Sequence, residues 1–206
     1  MLKINTITFA FDEKTIFKNF SLELKKAEIL AVMGPSGCGK TTLLGLSAGL
    51  LKPQKGEIVN SFEKISYVFQ EPRLFPWLTV KENLLAVMNQ KDKNAEKTVM
   101  DCLALVDLAD AANKYPDELS GGMKSRVSLA RALAFGGDLF LFDEPFAALD
   151  EELRRKLSQK IKLHLQKRGA SAILVTHNLE DAQLIADRII TFRQRIPNNS
   201  LTVTNS

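Results

Sequence analysis

Cysteine is scarce in this 206-residue sequence, which contains Cys38 and Cys102 and no others. The two lack the paired spacing of a metal site, and one pair does not make the disulfide framework of a small secreted protein. A reducing compartment is therefore expected. Cys102 falls on an apolar helical stripe with Val99, Leu103 and Val106, which predicts a core side chain.

Long apolar runs are also absent. No stretch approaches the ~18 residues that a membrane-spanning helix needs. The first residues, MLKINTITFAFDEK, alternate apolar and polar side chains, which excludes a signal peptide. We do not expect this chain to cross a membrane by itself.

Charge is spread along the chain rather than concentrated. The 28 Lys and Arg residues and 24 Asp and Glu residues leave a net charge of +4. No basic run is long enough to indicate nucleic-acid binding, so no nucleic-acid partner is expected. With 45% apolar and 25% charged residues, the composition is that of an ordinary globular domain. The length suits one α/β domain with a sizeable core.

Apolar patterning predicts an α/β fold. KINTITFAF and TIFKNFSLEL alternate at period two and predict paired antiparallel strands. EILAVM, KISYVF, DLFLFDEP, SAILVTH and IITF predict further strands, most of them buried, and amphipathic helices lie between them. This alternation is typical of a doubly wound parallel sheet. A helical stretch of about 72–135 interrupts it and predicts a lateral helical subdomain. The tail from 193 onward is polar and predicts at most a hairpin arm.

GPSGCGKTT fits the phosphate-binding pattern G-x-x-x-x-G-K-[ST] and lies between a buried strand and a helix, as that motif requires. Its glycines let backbone N–H groups surround phosphate oxygens, and the helix N-terminus adds partial positive charge. We expect Lys40 to reach the β- and γ-phosphates and the Thr41 hydroxyl to bind Mg²⁺. The nucleotide-binding residues predicted here are Gly34, Pro35, Ser36, Gly37, Cys38, Gly39, Lys40, Thr41 and Thr42.

Two acids, Asp143 and Glu144, end the strand LFLFDEP. The carboxyl end of a parallel strand is where ligands bind in open α/β sheets. Asp143 is predicted to hold Mg²⁺ through a water, and Glu144 to orient the water that attacks the γ-phosphate. Taken alone, the pair is also typical of a turn before Pro145.

LSGGMKSRVSLARAL places Ser120, Gly121 and Gly122 at the start of a helix, which is a second anion-binding arrangement. It lies about 80 residues beyond the first and has no phosphate loop of its own. It is therefore predicted to serve the nucleotide of another copy.

Together these segments resemble the ATP-binding cassette (ABC) subunit of an ABC transporter. GPSGCGKTT resembles the Walker A motif, LSGGM the signature motif, LFLFDEP the Walker B motif, AALD the D-loop and VTH the switch-histidine motif. The resemblance covers nearly the whole chain and implies a P-loop NTPase fold with ATP and Mg²⁺ as cofactors. It predicts one cassette over 1–206, without a C-terminal regulatory domain.

The resemblance also assigns residues that spacing alone does not. Gln70 stands at the Q-loop position, where it would contact Mg²⁺ and sense the γ-phosphate. His177 would contact the γ-phosphate. Phe11 would stack on adenine with Ile16 beside it. The family's head-to-tail dimer would place Ser120–Gly122 of one chain over the ATP of the other, with Asp150 at the interface.

QEPRLFPWLTV, residues 70 to 80, holds the chain's single tryptophan, Trp77, in a segment broken by Pro72 and Pro76. Such a segment is expected at the surface. The resemblance implies that Phe75 and Trp77 dock on a membrane permease. The alternative is that Trp77 packs into the chain's own helical core, because large aromatic side chains are mostly buried.

The sequence of this loop is similar to that of the same loop in cassettes of the nitrate, sulfonate and taurine importers. That similarity implies an importer subunit at the cytoplasmic face of the membrane, supplied indirectly by an extracytoplasmic solute-binding protein. The rival interpretation is a soluble ABC-type ATPase that acts on DNA or the ribosome. Such proteins usually carry two cassettes or a long coiled-coil insertion, and this chain has neither.

Overall fold

The computed structural model describes residues 1–12, 14–89 and 91–192 in full, and the backbone of 203–205. A six-stranded sheet lies at its centre, with the strand order β5-β6-β7-β3-β8-β9. The first five strands run parallel, and β9 is antiparallel to β8. The strands are β3 (Ile29–Met33), β5 (Ile65–Val68), β6 (Leu139–Asp143), β7 (Ser171–Val175), β8 (Arg188–Phe192) and β9 (Val203–Asn205).

A second sheet is antiparallel and has the order β2-β1-β4. It contains β1 (Leu2–Phe11), β2 (Lys14–Leu24) and β4 (Lys55–Asn60). The pairing of β1 with β2 was predicted from their alternation and is confirmed. Strand β4 was not predicted. It pairs with β1 through registers such as Lys3 with Val59, and Gly56 takes a positive φ of 78° beside the β1 backbone.

The described residues form six α-helices around the central sheet: α1 (Lys40–Ser47), α2 (Val80–Leu85), α3 (Ala95–Leu105), α4 (Gly121–Phe135), α5 (Glu151–Arg168) and α6 (Leu179–Ile185). Short 3₁₀ turns at Ala109–Ala111 and Pro116–Glu118 join α3 to α4. Ser120 caps α4 and Gly169 ends α5 in a left-handed conformation, both as predicted. Helices α1, α2 and α6 are shorter than their patterns indicated.

The core has two apolar layers, one on each face of the central sheet. Strand side chains alternate between them, because successive residues of a strand point to opposite faces. Phe140 and Phe142 of β6 face α3, α4 and α5, whereas Leu139 and Leu141 face α1 and the antiparallel sheet. Cys102 is buried in the helical layer, as its stripe predicted.

These layers give an α/β fold with a parallel sheet, an antiparallel sheet and flanking helices, as the apolar patterning predicted. Within the described ranges, no helix combines the length and the hydrophobicity that a membrane crossing needs. The tail was predicted as a hairpin arm; its residues 203–205 pair with β8, and 193–202 lie outside the described residues.

Candidate active site

The order of the central sheet brings three predicted motifs to one edge. Strands β6, β7 and β3 are consecutive neighbours and run parallel, so their carboxyl ends lie side by side. Glu144 follows β6, His177 follows β7, and the loop that begins at Gly34 follows β3. Backbone hydrogen bonds hold these ends in register: the N–H of Glu144 donates to Val175 O at 3.0 Å, and that of Thr176 to Val32 O at 3.3 Å.

The loop after β3 needs glycine at two places. Gly34 has a φ of 146°, and a Cβ there would lie 2.5 Å from the carbonyl oxygen of Phe192. Gly39 has a φ of 105°, and a Cβ there would lie 2.7 Å from Ile16 Cγ2. Any side chain would displace the loop. The loop leads directly into α1, so the N–H groups of the first helical turn face its concave side.

Lys40 is the first residue of α1 and is 9% exposed. Its ammonium donates hydrogen bonds to the carbonyl oxygens of Gly34, at 2.8 Å, and Pro35, at 3.0 Å. The loop's own carbonyls therefore compensate the buried charge. The ammonium is held at the mouth of the loop, where a phosphate would meet it.

Asp143 is 3% exposed at the end of β6 and accepts a hydrogen bond from the Thr41 side chain. Burial raises the pKa of its carboxyl above the ordinary value, the Thr41 hydrogen bond opposes this rise, and the charge of Glu144 adds to it. A carboxylate and a hydroxyl, both oxygen donors, therefore face each other beside the phosphate loop. In the described part of the chain, no three His, Cys, Asp or Glu side chains converge. The oxygen donors of Asp143 and Thr41 fit Mg²⁺, which typically binds one or two protein carboxylates and fills its other coordination positions with water and substrate phosphates.

Glu144 has a left-handed backbone, with a φ of 49°. A non-glycine residue in this conformation costs about 1 to 2 kcal/mol. The strained turn directs the side chain toward β7, where its Oε2 lies 2.9 Å from His177 Nδ1 and 3.4 Å from the His177 backbone nitrogen. Two predicted catalytic residues, 33 positions apart, are thus in direct contact.

Gln70 follows β5, the neighbour of β6, and is exposed. It lines a narrow cleft together with Glu144 and with Ser125 and Ser128 of α4. The two serines were not predicted as site residues. Nothing in the sequence marked them, because serine on a helix is normally an ordinary surface residue.

Ser120, Gly121 and Gly122 form a separate group. Ser120 Oγ accepts the N–H of Met123 at 3.3 Å and so caps α4. A Cβ on Gly121 would meet nothing within 4 Å, whereas one on Gly122 would lie 2.9 Å from Ala148 O. Among the described residues, no hydrogen bond or ion pair joins this group to the phosphate loop. Asp150, two residues after Ala148, caps α5 through Leu153 N at 2.9 Å.

The predicted adenine contacts differ in accessibility. Phe11 is 49% exposed at the end of β1, with its ring 4.9 Å edge-on from that of Phe9. Ile16 is buried and packs against Gly39. Phe11 thus presents an open aromatic face, and Ile16 supports the phosphate loop from below.

The backbone of the loop after Gln70 is anchored by a residue that the sequence analysis missed. Asn83 of α2 is completely buried, accepts the N–H of Phe75 and donates to the carbonyls of Phe75, Leu78 and Thr79 at 3.0 to 3.1 Å. Trp77 is 70% exposed and Phe75 37% exposed. Trp77 therefore does not fill the chain's own core, which was the alternative interpretation. Nothing in the sequence marked Asn83, because half of the residues of α2, VKENLL, are polar.

The phosphate loop, the buried acid and the sheet edge define a P-loop nucleotide-binding α/β protein. The chain matches the family described as "ABC transporter" over residues 17–147. It is 38% identical over 200 residues to an aliphatic sulfonates import ATP-binding protein, SsuB, of Bacillus cereus, covering 92% of this chain and 80% of that one. It is 39% identical over 209 residues to the taurine import ATP-binding protein TauB of Roseobacter denitrificans, covering 94% and 78%.

Solved structures agree with this assignment. A dimeric structure of a bacterial ABC transporter cassette matches with a TM-score of 0.83 and 31% identity, over 94% of each chain. A post-hydrolysis state of that cassette, bound to ADP and Pi, matches with a TM-score of 0.83 and 32% identity, over 93% of this chain and 94% of that one. The chain belongs to the ABC transporter family, and it is an ATP-binding cassette ATPase, as its motifs predicted.

The burial of Asp143 gives a prediction about stability. The pKa of the Asp143 carboxyl is higher in the folded protein than in the unfolded chain. The native protein therefore loses stability as pH rises through the interval between these two pKa values, and it regains that stability as pH falls below the interval. In metal-free, nucleotide-free protein, Asp143→Asn should melt at a higher temperature than the parent at neutral pH. The difference in melting temperature between Asp143→Asn and the parent should become smaller as pH falls through that interval. Thermal unfolding in EDTA at several pH values measures it.

The exposed Asp101 on α3 supplies the control, since Asp101→Asn removes the same charge from a solvated site. If Asp143→Asn melts below the parent at neutral pH, the ionised carboxylate stabilises the fold and our account of its burial is wrong.

Proposed function

We propose that this chain is the energy-coupling ATPase of a bacterial importer of small anions or organic solutes. The relatives described above are named for the import of aliphatic sulfonates and taurine, and a nitrate import ATP-binding protein of Synechococcus elongatus is 39% identical over 185 residues, covering 84% of this chain and 28% of that one. The observation that carries the hydrolytic part is the convergence of the phosphate loop, Glu144 and His177 at one sheet edge. The proposed location is the cytoplasmic face of the membrane.

In the proposed reaction the phosphate loop and Lys40 bind the β- and γ-phosphates of ATP. Glu144 orients a water in line with the γ-phosphate, and His177, whose Nδ1 contacts Glu144, presents its other ring nitrogen toward that phosphate. Thr41, Asp143 and Gln70 would hold Mg²⁺. When bound, the ion would neutralise part of the negative charge of the phosphates. Phe11 would stack on the adenine.

A dimer is supported by the separation of the two anion-binding elements within one chain. The N-terminus of α4 favours an anion, and among the described residues no hydrogen bond or ion pair joins it to the phosphate loop of the same chain. In a head-to-tail homodimer, Ser120, Gly121 and Gly122 would face the γ-phosphate held by the partner, and Asp150 would lie at the interface. The open space around Gly121 suits such an approach. Residues 72–135 would form the lateral helical part of a single cassette.

Docking on the permease is supported by the exposed aromatic pair Phe75 and Trp77, whose rings are 5.8 Å apart. Beside them lies a groove of about 300 Å³ lined mainly by aromatic and aliphatic side chains. The residues that line it include Tyr67, Phe69, Phe75, Val87 and Phe135, together with Arg73 and Arg131. Phe69 immediately precedes Gln70, so one backbone segment joins the nucleotide edge to the groove. The solute-binding protein would act only indirectly, through the permease.

Glu144→Gln tests the hydrolytic role. We expect turnover at saturating ATP to fall about a hundredfold or more, because the water loses its general base. ATP binding should remain, and size-exclusion chromatography with ATP should show an accumulated dimer. Glu63→Gln, at the other end of the sheet, is the matched control. Turnover close to that of the parent in Glu144→Gln would assign hydrolysis to another group.

Complementation between damaged chains tests the shared site. Gly121→Asp should melt like the parent, because its Cβ meets nothing in its own chain, yet it should be nearly inactive. Lys40→Ala should also be inactive. A mixture of the two forms heterodimers with one intact and one doubly damaged site, so its ATPase rate should exceed the sum of the separate rates. A mixture no better than that sum contradicts the shared-site arrangement.

Trp77→Ala tests the docking surface. Removing a central aromatic anchor commonly costs about 2 kcal/mol or more, roughly thirtyfold in affinity. We expect that loss in co-purification with the membrane partner, with ATP affinity unchanged and little change in melting temperature, because Trp77 is exposed. Met100→Ala, another exposed apolar truncation, should keep parental docking.

Two results would contradict this docking assignment. One is a large fall in melting temperature, since loss of a core aromatic costs about 3 to 5 kcal/mol. The other is parental co-purification of Trp77→Ala with the membrane partner. Co-purification of the parent with ribosomes or DNA in place of a membrane protein would support the rival function.

A further inference from the structure

A partly buried ion pair joins α5 to the helix that follows His177. Arg154 of α5 places its Nε 3.2 Å from Asp181 Oδ1, and its terminal nitrogen 3.9 Å from Glu180 Oε2. Asp181 belongs to α6 and is 3% exposed. The pair therefore joins two helices that the chain separates by β7 and the turn carrying His177.

Arg154 is the cation that compensates this acid. Among the described residues, Asp181 Oδ1 accepts no hydrogen bond of good geometry, so the guanidinium offsets it through charge. Burial raises the pKa of Asp181, and Arg154 acts against that rise. A buried carboxylate without a counter-charge is strongly unfavourable, so loss of Arg154 would force this segment to rearrange or Asp181 to take up a proton.

Asp181 is tied back to the residues on both sides of His177. Its Oδ2 lies 3.5 Å from Thr176 Oγ1, which accepts the N–H of Asn178 at 3.1 Å. Asn178 Oδ1 in turn accepts the N–H groups of Glu180 and Asp181 at 2.8 and 3.2 Å. The turn from Thr176 to Asp181 is thus closed by its own polar groups, and Arg154 anchors the closed turn to α5.

His177 depends on this anchoring because its own side chain is mostly free. The imidazole is 71% exposed, and Glu144 is the partner that it contacts. We infer that Arg154 is a positioning residue for hydrolysis: through Asp181 it fixes the turn that aims His177 at Glu144 and the γ-phosphate. The inference rests on the catalytic role proposed for His177.

The position of Arg154 in α5 also relates it to Asp150. It lies one helical turn after Asp150, and its N–H donates to Asp150 O at 2.9 Å. Asp150, proposed above to lie at the dimer interface, and Arg154 thus belong to the same first turn of α5.

The test compares kcat and KM for ATP in the purified chain. Arg154→Ala should lower kcat about tenfold, since a small misplacement of a catalytic group can cost up to about a hundredfold. KM should stay near the parental value, because the phosphate loop and Lys40 are untouched. Arg154→Lys retains the charge and should recover most of kcat. Arg155→Ala removes a neighbouring arginine from the same helix and should match the parent.

A double variant separates positioning from general destabilisation. His177→Ala should abolish most activity, and adding Arg154→Ala should cause little further loss, because both act on one step. If Arg154→Ala does not fold, Arg154→Lys and Asp181→Asn carry the comparison, each assayed below its own melting temperature, with Asp181→Asn expected to lower kcat at parental KM.

The outcomes distinguish this inference from the function on which it rests. The positioning role alone is overturned if His177→Ala is inactive while folded Arg154→Ala keeps the parental kcat. Parental kcat in both Arg154→Lys and Asp181→Asn has the same meaning if Arg154→Ala does not fold. Parental kcat in His177→Ala overturns the proposed role of His177 and with it this inference. If the kcat of the double variant falls by the product of the two single effects, Arg154 acts independently of His177, and the inference is again overturned.

Discussion

Main-chain hydrogen bonding between β6, β7 and β3 decides where the proposed catalytic groups lie. Each of these strands is fully buried or nearly so, and parallel pairing leaves one register in which their ends meet. The bonds from Glu144 N–H to Val175 O and from Thr176 N–H to Val32 O extend that register into the turns. A shift of one residue would turn the side chains of a strand to the opposite face and separate the motifs. The site thus depends on the packing of apolar residues that take no part in chemistry.

The same edge concentrates groups that are unfavourable in a folded chain. Asp143 and Asp181 are buried acids, and Glu144 is strained. Local contacts compensate each of them: Thr41 for Asp143, Arg154 and Thr176 for Asp181, and a backbone hydrogen bond for Glu144. Strain and buried charge tend to accumulate at functional sites, where the surrounding fold holds them in place. The core layers on both faces of the sheet provide that support.

Sequence reasoning predicted most of this fold, and the structure then gave positions to the motifs. Buried strands and capped helices have strong local signals, and Ser120, Gly169 and the paired first strands were found from them. Strand β4 was missed because KGEIVN is mostly polar; it is a strand because β1 offers it free hydrogen-bonding groups. The contacts of Asn83 and Arg154 were beyond prediction, since their partners are set by tertiary packing. The contact between Glu144 and His177 joins two predicted residues across 33 positions that no local pattern links.

The buried Asn83 has a consequence for the thermodynamics of association. Its hydrogen bonds to Phe75, Leu78 and Thr79 order the backbone of an exposed loop before anything binds to it. Ordering a mobile loop on association consumes part of the interaction free energy, whereas a loop ordered during folding has already lost that conformational entropy. The aromatic side chains of this segment are therefore displayed on a rigid frame. Complex formation through them would follow rigid-body behaviour, with little rearrangement of the loop backbone.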